Sequence, residues 1–339
     1  MWTFLIAADS VTPKRQRRPK IRLRSIQDPK LYGMIKKRAQ RSTKMRILNF
    51  GSLNIDYVYR VDEFVKPGET KAAKTLSVFA GGKGLNQSLA MARARLKVVH
   101  AGKIGPEGEF LVKTLKGGGV DTSRIEIAKV ATGHAIIQVD DRGRNCILLF
   151  GGANQDIDEA YIERALAGFG AGEMLVLQNE ISSMPSIIAK AKMRGMTIVL
   201  NPSPYSNLVP GYPLELVDIF IMNEIEAADL SGEVDPEQAA HLLMRSFPQA
   251  RIVITQGEGG SMCAHKGEIV RQKAYRVEAV DTTAAGDTFS GYFLAGLVEG
   301  LDIVKSLDLA ARAASICVTR KGAADSVPWR RELETAGQV

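Results

Sequence analysis

The sequence predicts an α/β protein: a central, mostly parallel, doubly wound sheet flanked by helices, with a small β-sheet lid inserted into its first half. Three observations predict it. From Met45 onward, short and near-continuous apolar runs alternate with segments of helical periodicity, the pattern of parallel strands covered on both faces. Several of those runs pass straight into polar residues, at Asn179-Glu180, Asn201-Pro202, Asn223-Glu224 and Thr255-Gln256-Gly257. In an open parallel sheet such ends share one edge, where ligands bind. Finally, half-exposed strands without helices between the paired members gather early in the chain, and these are expected to form a separate sheet.

In chain order, the first strand is expected over Ile47–Phe50, a buried apolar run. The lid strands Tyr57–Phe64 and Lys74–Phe79 follow, then a helix over Leu85–Ala94 and a strand over Val98–Ala101. Ala135–Val139 and Asn145–Phe150 complete the lid around the turn Asp141-Arg142-Gly143. The second half alternates regularly. A helix over Asp158–Phe169 leads to a strand over Met174–Leu177, and one over Pro185–Arg194 leads to Thr197–Leu200. The strand Ile219–Met222 is followed by helices over Glu224–Leu230 and Pro236–Phe247 and by the strand Ile252–Thr255. Helices over Thr288–Glu299 and Val304–Thr319 close the pattern. No internal repeat and no low-complexity tract interrupts it.

Composition narrows the function classes. With 45% hydrophobic and 24% charged residues among 339, the chain has ample material for a core, which excludes bulk disorder. No uninterrupted apolar run is long enough to span a bilayer. Three widely spaced cysteines, Cys146, Cys263 and Cys317, suit a reducing, cytoplasmic setting and form neither a disulfide framework nor a zinc pattern. The four histidines lack HExxH spacing, which argues against a zincin. The net charge of +8 is unevenly placed. Residues 1–44 hold 13 of the 45 Lys and Arg but 2 of the 37 Asp and Glu, so that stretch carries +11 and the remainder −3. The leader reads as a transit peptide, as a basic arm for nucleic acid, or as an upstream extension with Met45 as the working start. The strand-like opening at Met45 favours the last, and no binding motif or stacking aromatics support the nucleic-acid arm.

The chemistry concentrates in Val280-Asp281-Thr282-Thr283-Ala284-Ala285-Gly286-Asp287-Thr288-Phe289-Ser290-Gly291. A turn of small residues leads into an apolar helix beginning near Asp287. Unpaired N–H groups and the macrodipole at that helix start suit an anion that gains charge in a reaction, such as a transferring phosphate. Ala284, Ala285 and Gly286 allow close approach. Asp287 reads either as an ordinary helix N-cap or as a base for an attacking hydroxyl.

That segment resembles the second signature of the PfkB-type carbohydrate kinases, and Ala80-Gly81-Gly82-Lys83-Gly84-Leu85-Asn86-Gln87 resembles the first. Gly51-Ser52-Leu53-Asn54-Ile55-Asp56, Pro67-Gly68-Glu69-Thr70, Asn223-Glu224-Ile225-Glu226, Val318-Thr319-Arg320-Lys321-Gly322-Ala323 and Ser326-Val327-Pro328-Trp329 are similar to the ribokinase branch of that family. The likeness runs from about Met45 to Glu332. It implies a ribokinase-like domain over 45–332 with lid strands within 53–80 and 133–150, a disordered extension before it and a tail over 333–339.

The resemblance implies ATP-dependent phosphorylation of the 5-hydroxyl of D-ribose. Asp287 is then the general base, and the backbone of Ala284, Ala285, Gly286 and Asp287 the anion hole. Asn54, Asp56, Gly82, Lys83, Asn86 and Glu180 would hold the sugar. Asn223, Gly286 and the loop Thr255, Gln256, Gly257, Glu258, Gly259 and Gly260 would hold ATP; that loop is neither a Walker A motif nor GxGxxG. Glu226 would serve Mg²⁺. Asp281, Thr283, Cys317, Arg320, Gly322 and Ser326 would hold K⁺, with Cys317 acting only through its backbone. A homodimer paired through the lids is implied. Two places depart from the family pattern: the shortened turn Gly105-Pro106-Glu107-Gly108, and Ala311, where relatives often carry Asn or His beside the nucleotide. The alternatives are a PfkB-type kinase for fructose, a nucleoside or a sugar acid, and a catalytically silent sugar-binding protein.

Overall fold

The computed structural model describes residues 45–336. Residues 1–44 and 337–339 lie outside the described residues, and with them the three readings of the basic leader. The first half comprises β1 (Arg46–Phe50), β2 (Asn54–Arg60), β3 (Thr75–Gly81), α1 (Lys83–Arg93), β4 (Lys97–Ile104), α2 (Glu109–Gly117), β5 (Asp121–Ile127), β6 (Gly133–Val139) and β7 (Asn145–Phe150). There follow α3 (Glu159–Leu166), β8 (Met174–Gln178), α4 (Met184–Met193), β9 (Thr197–Asn201), β10 (Ile219–Asn223), α5 (Glu224–Ser231), α6 (Pro236–Ser246) and β11 (Arg251–Thr255). β12 (Ser261–His265), β13 (Glu268–Gln272), α7 (Ala285–Val298), α8 (Ile303–Val318) and α9 (Arg330–Ala336) complete the chain.

The main sheet has nine strands in the order β13-β12-β11-β10-β9-β8-β1-β4-β5. From β11 to β5 every pair is parallel; β12 and β13 add an antiparallel edge. Parallel strands covered by helices are buried on both faces, and β8 is buried along its whole length. Its side chains alternate between two cores: Leu175 and Leu177 pack with Leu48, Phe50, Ile187 and Ile188. Met174 and Val176 pack with Ile47, Leu85, Leu89 and Phe293 on the other face. Helix starts are fixed by side-chain caps: Asp158 accepts from Tyr161 N–H (2.7 Å), Asp235 from Gln238 N–H (2.9 Å) and Asp302 from Lys305 N–H (2.8 Å). Such a cap contributes about 1 kcal/mol.

The chain direction across the sheet reverses at β1, which pairs with β8 on one side and β4 on the other. This is the switch point at which an open α/β sheet forms a crevice beyond its carboxyl ends. The ends of β1, β8, β9 and β10 deliver Ser52, Glu180, Asn201 and Asn223 to that edge.

The second sheet has the order β3-β2-β6-β7. One expectation is corrected here. Its central pair, β2 and β6, is parallel (Asn54↔Gly133 to Arg60↔Val139), and α1 and α2 lie between them in sequence. β2 also begins earlier than expected, so Asn54 and Asp56 are strand residues whose direction the sheet fixes.

Five elements were not expected: α2, β5, the hairpin β12–β13 and α9. β5 is an edge strand with the polar sequence Asp-Thr-Ser-Arg-Ile-Glu-Ile, and so lacks the apolar run of its neighbours. The hairpin turns on two residues with positive φ, Lys266 (50°) and Gly267 (85°), the backbone that tight hairpins require. α9 continues past the expected domain end and buries Leu333.

Candidate active site

Helix α7 starts abnormally. Its N-cap is Ala284, whose φ of 60° and ψ of 8° lie in the left-handed region, a conformation costing a non-glycine residue about 1 kcal/mol. Strain of this kind is retained where the surroundings impose it. The Ala284 carbonyl accepts from Thr288 N–H at 2.8 Å, and Ala285 N–H turns back to Thr282 O at 3.2 Å. Of the expected donors, the Ala285 N–H is therefore spent within the turn. Gly286 and Asp287 N–H, one residue further in, have no backbone partner and start the helix dipole. Gly286 has no atom within 4 Å of where a Cβ would stand.

Asp287 is the third residue of α7 and makes no capping bond, so the N-cap reading is set aside. It is 6% exposed. Asn86 Nδ2 donates to its Oδ2 (3.1 Å) and Gln87 Nε2 to its Oδ1 (3.0 Å), both from the N-terminal half of α1. The two glycine-rich segments, 200 residues apart, thus meet at one carboxylate.

On one side of Asp287 lies a polar cluster built from β2, the α1 start and the end of β8. Lys83 N–H donates to Glu180 Oε2 at 2.9 Å, and the Ser52 hydroxyl also donates to that oxygen. Gly84 N–H donates to Ser52 Oγ at 3.1 Å. Gly82 takes φ 93°, and a Cβ on Gly84 would stand 2.3 Å from Ser52 N, so this entry to α1 needs both glycines. Asp56 lies against Gly81. Withdrawal from water, reinforced by the charge of Glu180, pushes the Asp56 carboxyl up to about 7. Burial also raises Glu180, against the opposing pull of Lys83. These carboxylates and Asn86 Oδ1, a buried acceptor without a partner, suit the hydroxyls of a polyol.

On the other side opens a cleft of about 360 Å³. Its walls include Asn223, Glu226, Thr255, Gly257, the turn Ala284–Asp287 and Lys83. Lys83 was expected on the sugar. Its N–H does face the polar cluster through Glu180, and the residue also lines the cleft. Burial opposes its charge, yet Asp287, Glu180 and Glu226 outweigh that and hold the ammonium above its usual range. A cation here faces the anion turn across the cleft.

Asn223 and Glu226 form a capping box: Asn223 Oδ1 accepts from Glu226 N–H (2.8 Å), and Glu226 Oε2 from Asn223 N–H (3.0 Å). Glu226 is 7% exposed, so it is not a solvated surface residue. Its other oxygen is left for an ion or water. No group of three or more His, Cys, Asp or Glu that could hold a metal occurs among the described residues. One carboxylate beside the cleft would suit Mg²⁺, which takes most of its ligands from substrate phosphates and water.

In the loop after β11, Thr255 and Gly257 reach the cleft, whereas Gln256, Glu258, Gly259 and Gly260 do not line it. The loop closes on itself through Gln256 N–H to Gly260 O (2.8 Å), and Gly260 packs under Gln272 O. Ala311 is buried in α8 and Gly105–Gly108 forms a turn tied to Thr132, so neither departure touches Asp287.

The residues expected to hold K⁺ come together as two joined loops. Asp281 accepts from Thr283 N–H (2.9 Å), Thr283 Oγ1 (2.6 Å) and Gly322 N–H (2.9 Å). These bonds outweigh burial and hold its carboxyl below the usual range. Cys317 is buried with Sγ 3.1 Å from Ser326 Oγ, and the Arg320 side chain is spent on Glu332 (2.7 Å). Carbonyls and one carboxylate at this junction are the hard oxygen donors an alkali cation needs.

Sequence reasoning missed Ser52, Gln87, Asn154 and Gln178. Gln87 adjoins the signature Asn86 and could have been found there. Asn154 follows a lid strand in a plain Gly-Gly-Ala-Asn run and carries no local signal.

A family model described as the pfkB family of carbohydrate kinases matches residues 44–330. The chain is 37% identical to a ribokinase of Haemophilus influenzae over 293 residues, covering 83% of this chain and 95% of that one. Arabidopsis thaliana ribokinase, solved with ribose and ATP, superposes with a TM-score of 0.78 at 29% identity, covering 87% of this chain and 99% of that one. Cryptococcus neoformans ribokinase with ADP gives 0.75 at 32% identity, covering 86% of this chain and 100% of that one.

Proposed function

The chain belongs to the pfkB family of carbohydrate kinases, and from that premise we propose that it transfers the terminal phosphate of ATP to the 5-hydroxyl of D-ribose. The observation that carries this reading is the position of Asp287: its carboxylate stands between a polyol-binding cluster and a cleft headed by free helix N–H groups.

Asn54, Asp56, Asn86 and Glu180 bind the sugar hydroxyls and orient C5 toward Asp287. Asp287 removes the proton from the 5-hydroxyl as its oxygen attacks the γ-phosphorus; the bond to the bridging oxygen breaks and ADP leaves. Positioning and charge stabilisation account for most of the catalysis in such transfers. Gly286 and Asp287 N–H and the Lys83 ammonium face the charge that develops on the phosphoryl oxygens, and each well-placed donor lowers the barrier by ~3 kcal/mol. Mg²⁺, held through Glu226, would supply further neutralisation of the triphosphate. K⁺ at Asp281 and the carbonyls of Thr283, Cys317, Arg320 and Gly322 would stiffen the turn. The small sheet closes over the sugar as a lid and excludes water.

The three cysteines are free, which supports a reducing, cytoplasmic setting. The open edges β3 and β7 carry exposed Leu76, Val78, Ile147, Leu148, Leu149 and Phe150, which supports a homodimer paired through the lids.

An ADP-release assay over a panel of sugars, with and without K⁺, tests the reading. Ribose is expected to give the highest kcat/KM. Preference for fructose or a nucleoside would move the chain to another specificity, and sugar binding without turnover on any of them would make it a silent binder.

A further inference from the structure

We propose that Gln87 is a positioning residue for Asp287, held in its working rotamer by a one-way chain of buried carboxamides that starts at the backbone carbonyl of Gly84. This rests on the general-base reading of Asp287 and adds the residues that aim it.

The chain is continuous. Asn49 Nδ2 donates to Gly84 O (2.7 Å) and to Ser88 Oγ (2.7 Å). Gln178 Nε2 donates to Asn49 Oδ1 (2.9 Å) and to Gln87 Oε1 (2.7 Å). Gln87 Nε2 donates to Asp287 Oδ1 (3.0 Å). Three secondary elements contribute: Asn49 lies in β1, Gln178 at the end of β8, and Gln87 in α1. All three amides are at most 1% exposed.

The polarity is forced. A backbone carbonyl can only accept, so the Asn49 amide must turn its NH₂ toward Gly84 and its oxygen toward Gln178. Gln178 must then present NH₂ to both neighbours, which leaves its own Oε1 buried without a partner. Gln87 must turn its oxygen toward Gln178 and its NH₂ toward Asp287. Each link leaves the next one orientation.

A side branch leads from Ser88 to His100. Since Ser88 Oγ accepts from Asn49, its hydrogen points to His100 Nδ1, 2.8 Å away. Burial pushes the His100 imidazole down to about 3, so it stays neutral at working pH and adds no charge to the network.

Burying amides in strands that could have been apolar costs free energy, and an unpartnered oxygen adds to that cost. Simple packing does not call for the arrangement. Its product is an N–H donor fixed on one oxygen of Asp287, with Asn86 fixed on the other. Asp287 can then rotate neither about its last side-chain torsion nor away from the sugar cluster. The chain donates to Asp287 but cannot accept from it, so the proton removed from the sugar stays at the cleft.

The test compares Gln87→Met, Gln178→Met, Gln87→Glu and Asp287→Asn, with the double variant Asp287→Asn/Gln87→Met, by ribose kinetics, pH profile and melting temperature. Gln87→Met is expected to lower kcat by about 10- to 100-fold. Its ribose KM should stay within about 3-fold, because the lost contact acts on the base and not on the sugar. Gln178→Met should show the same split at smaller size. Gln87→Glu places a second carboxyl beside the first and should move the acidic limb of kcat up by about 1 pH unit. The double variant should be no slower than Asp287→Asn alone, since Gln87 acts through that carboxylate.

A folded Gln87→Met enzyme with kcat unchanged overturns the proposal, as does a fall in its kcat matched by a rise in KM, an unmoved pH profile in Gln87→Glu, or additive losses in the double variant. If Gln87→Met does not fold, Gln178→Met and Gln87→Glu decide the matter by the same criteria. Turnover retained by Asp287→Asn would instead remove the base reading itself, a result distinct from failure of Gln87 alone.

Discussion

Asn154 Nδ2 donates to Asn54 Oδ1 at 2.7 Å, joining the turn after β7 to the first residue of β2, 100 positions earlier. Asn154 Oδ1 accepts from Leu53 N–H at 3.0 Å, so the amide of Asn154 is fixed by backbone. That bond fixes the amide orientation of Asn54 and leaves its NH₂ for the sugar. Asn154→Asp keeps the acceptor for Leu53 N–H and removes the donor to Asn54. Its ribose KM should rise roughly 10-fold with little change in kcat. Unchanged ribose affinity in steady-state kinetics would show that Asn54 is oriented by something else.

Gly286→Ala separates stability from catalysis. No atom stands within 4 Å of the new methyl, so the fold accepts it, and alanine in a helix gains about 0.5–1 kcal/mol over glycine. The methyl does enter the space beside the anion turn. The melting temperature should hold or rise while kcat falls by at least ~10-fold, since one well-aimed donor is blocked. A variant both stable and fully active would show that the phosphoryl group does not approach Gly286.

Glu226 has two roles that different substitutions divide. Glu226→Ala loses half of the capping box and should cost about 1 kcal/mol of stability, read by denaturant unfolding. Glu226→Gln preserves the box but not the charge, so it should unfold like the parent and still need more Mg²⁺ for half-maximal rate. An unaltered magnesium titration in the Gln variant would leave Glu226 a cap and nothing more.

The lid edges are a test of assembly. β7 is exposed along all six of its residues, among them Ile147, Leu148, Leu149 and Phe150. Sedimentation velocity should find a dimer, and Leu148→Asp should shift it toward monomer. A monomeric parent at micromolar concentration would remove the lid-to-lid pairing.

Legibility followed locality. The buried parallel strands and the two glycine-rich signatures are written in consecutive residues, so their places could be anticipated; that Asn86 and Gln87 both bond Asp287 could not. The polar edge strand β5 and the parallel pairing of β2 with β6 could not, because the first lacks an apolar run and the second depends on contacts across α1 and α2. The Ala285 N–H is spent inside the turn because Ala284 adopts a left-handed conformation, which a sequence of small residues permits but does not announce. Lys83 is legible on the polar cluster, but its place beside the cleft is not, because one residue reaches both. Asn49 reads as a strand residue and Gln178 as the residue after a strand, and nothing more until the structure brings them to one buried chain.

Asp56 should make sugar binding depend on pH. An acid whose pKa stands raised, here to about 7, is protonated below that value and ionised above it. The sugar hydroxyls need an acceptor, so ribose binds the ionised form. KM for ribose should therefore rise by up to ~10-fold per pH unit as pH falls below 7, and kcat/KM should carry the matching acidic limb. Binding at pH 6 should also release a proton, which calorimetry in buffers of different ionisation enthalpy detects. The same shift has the opposite sign for the empty fold: its contribution to stability is present below the ordinary carboxyl range and is lost as pH rises through about 7. Glu180, raised as well, stands beside Asp56, and Asp56→Asn distinguishes the two. That variant should bind ribose more weakly and lose the limb near neutrality. A ribose KM constant from pH 6 to pH 8, with no proton released, would place the Asp56 carboxylate outside the sugar contact.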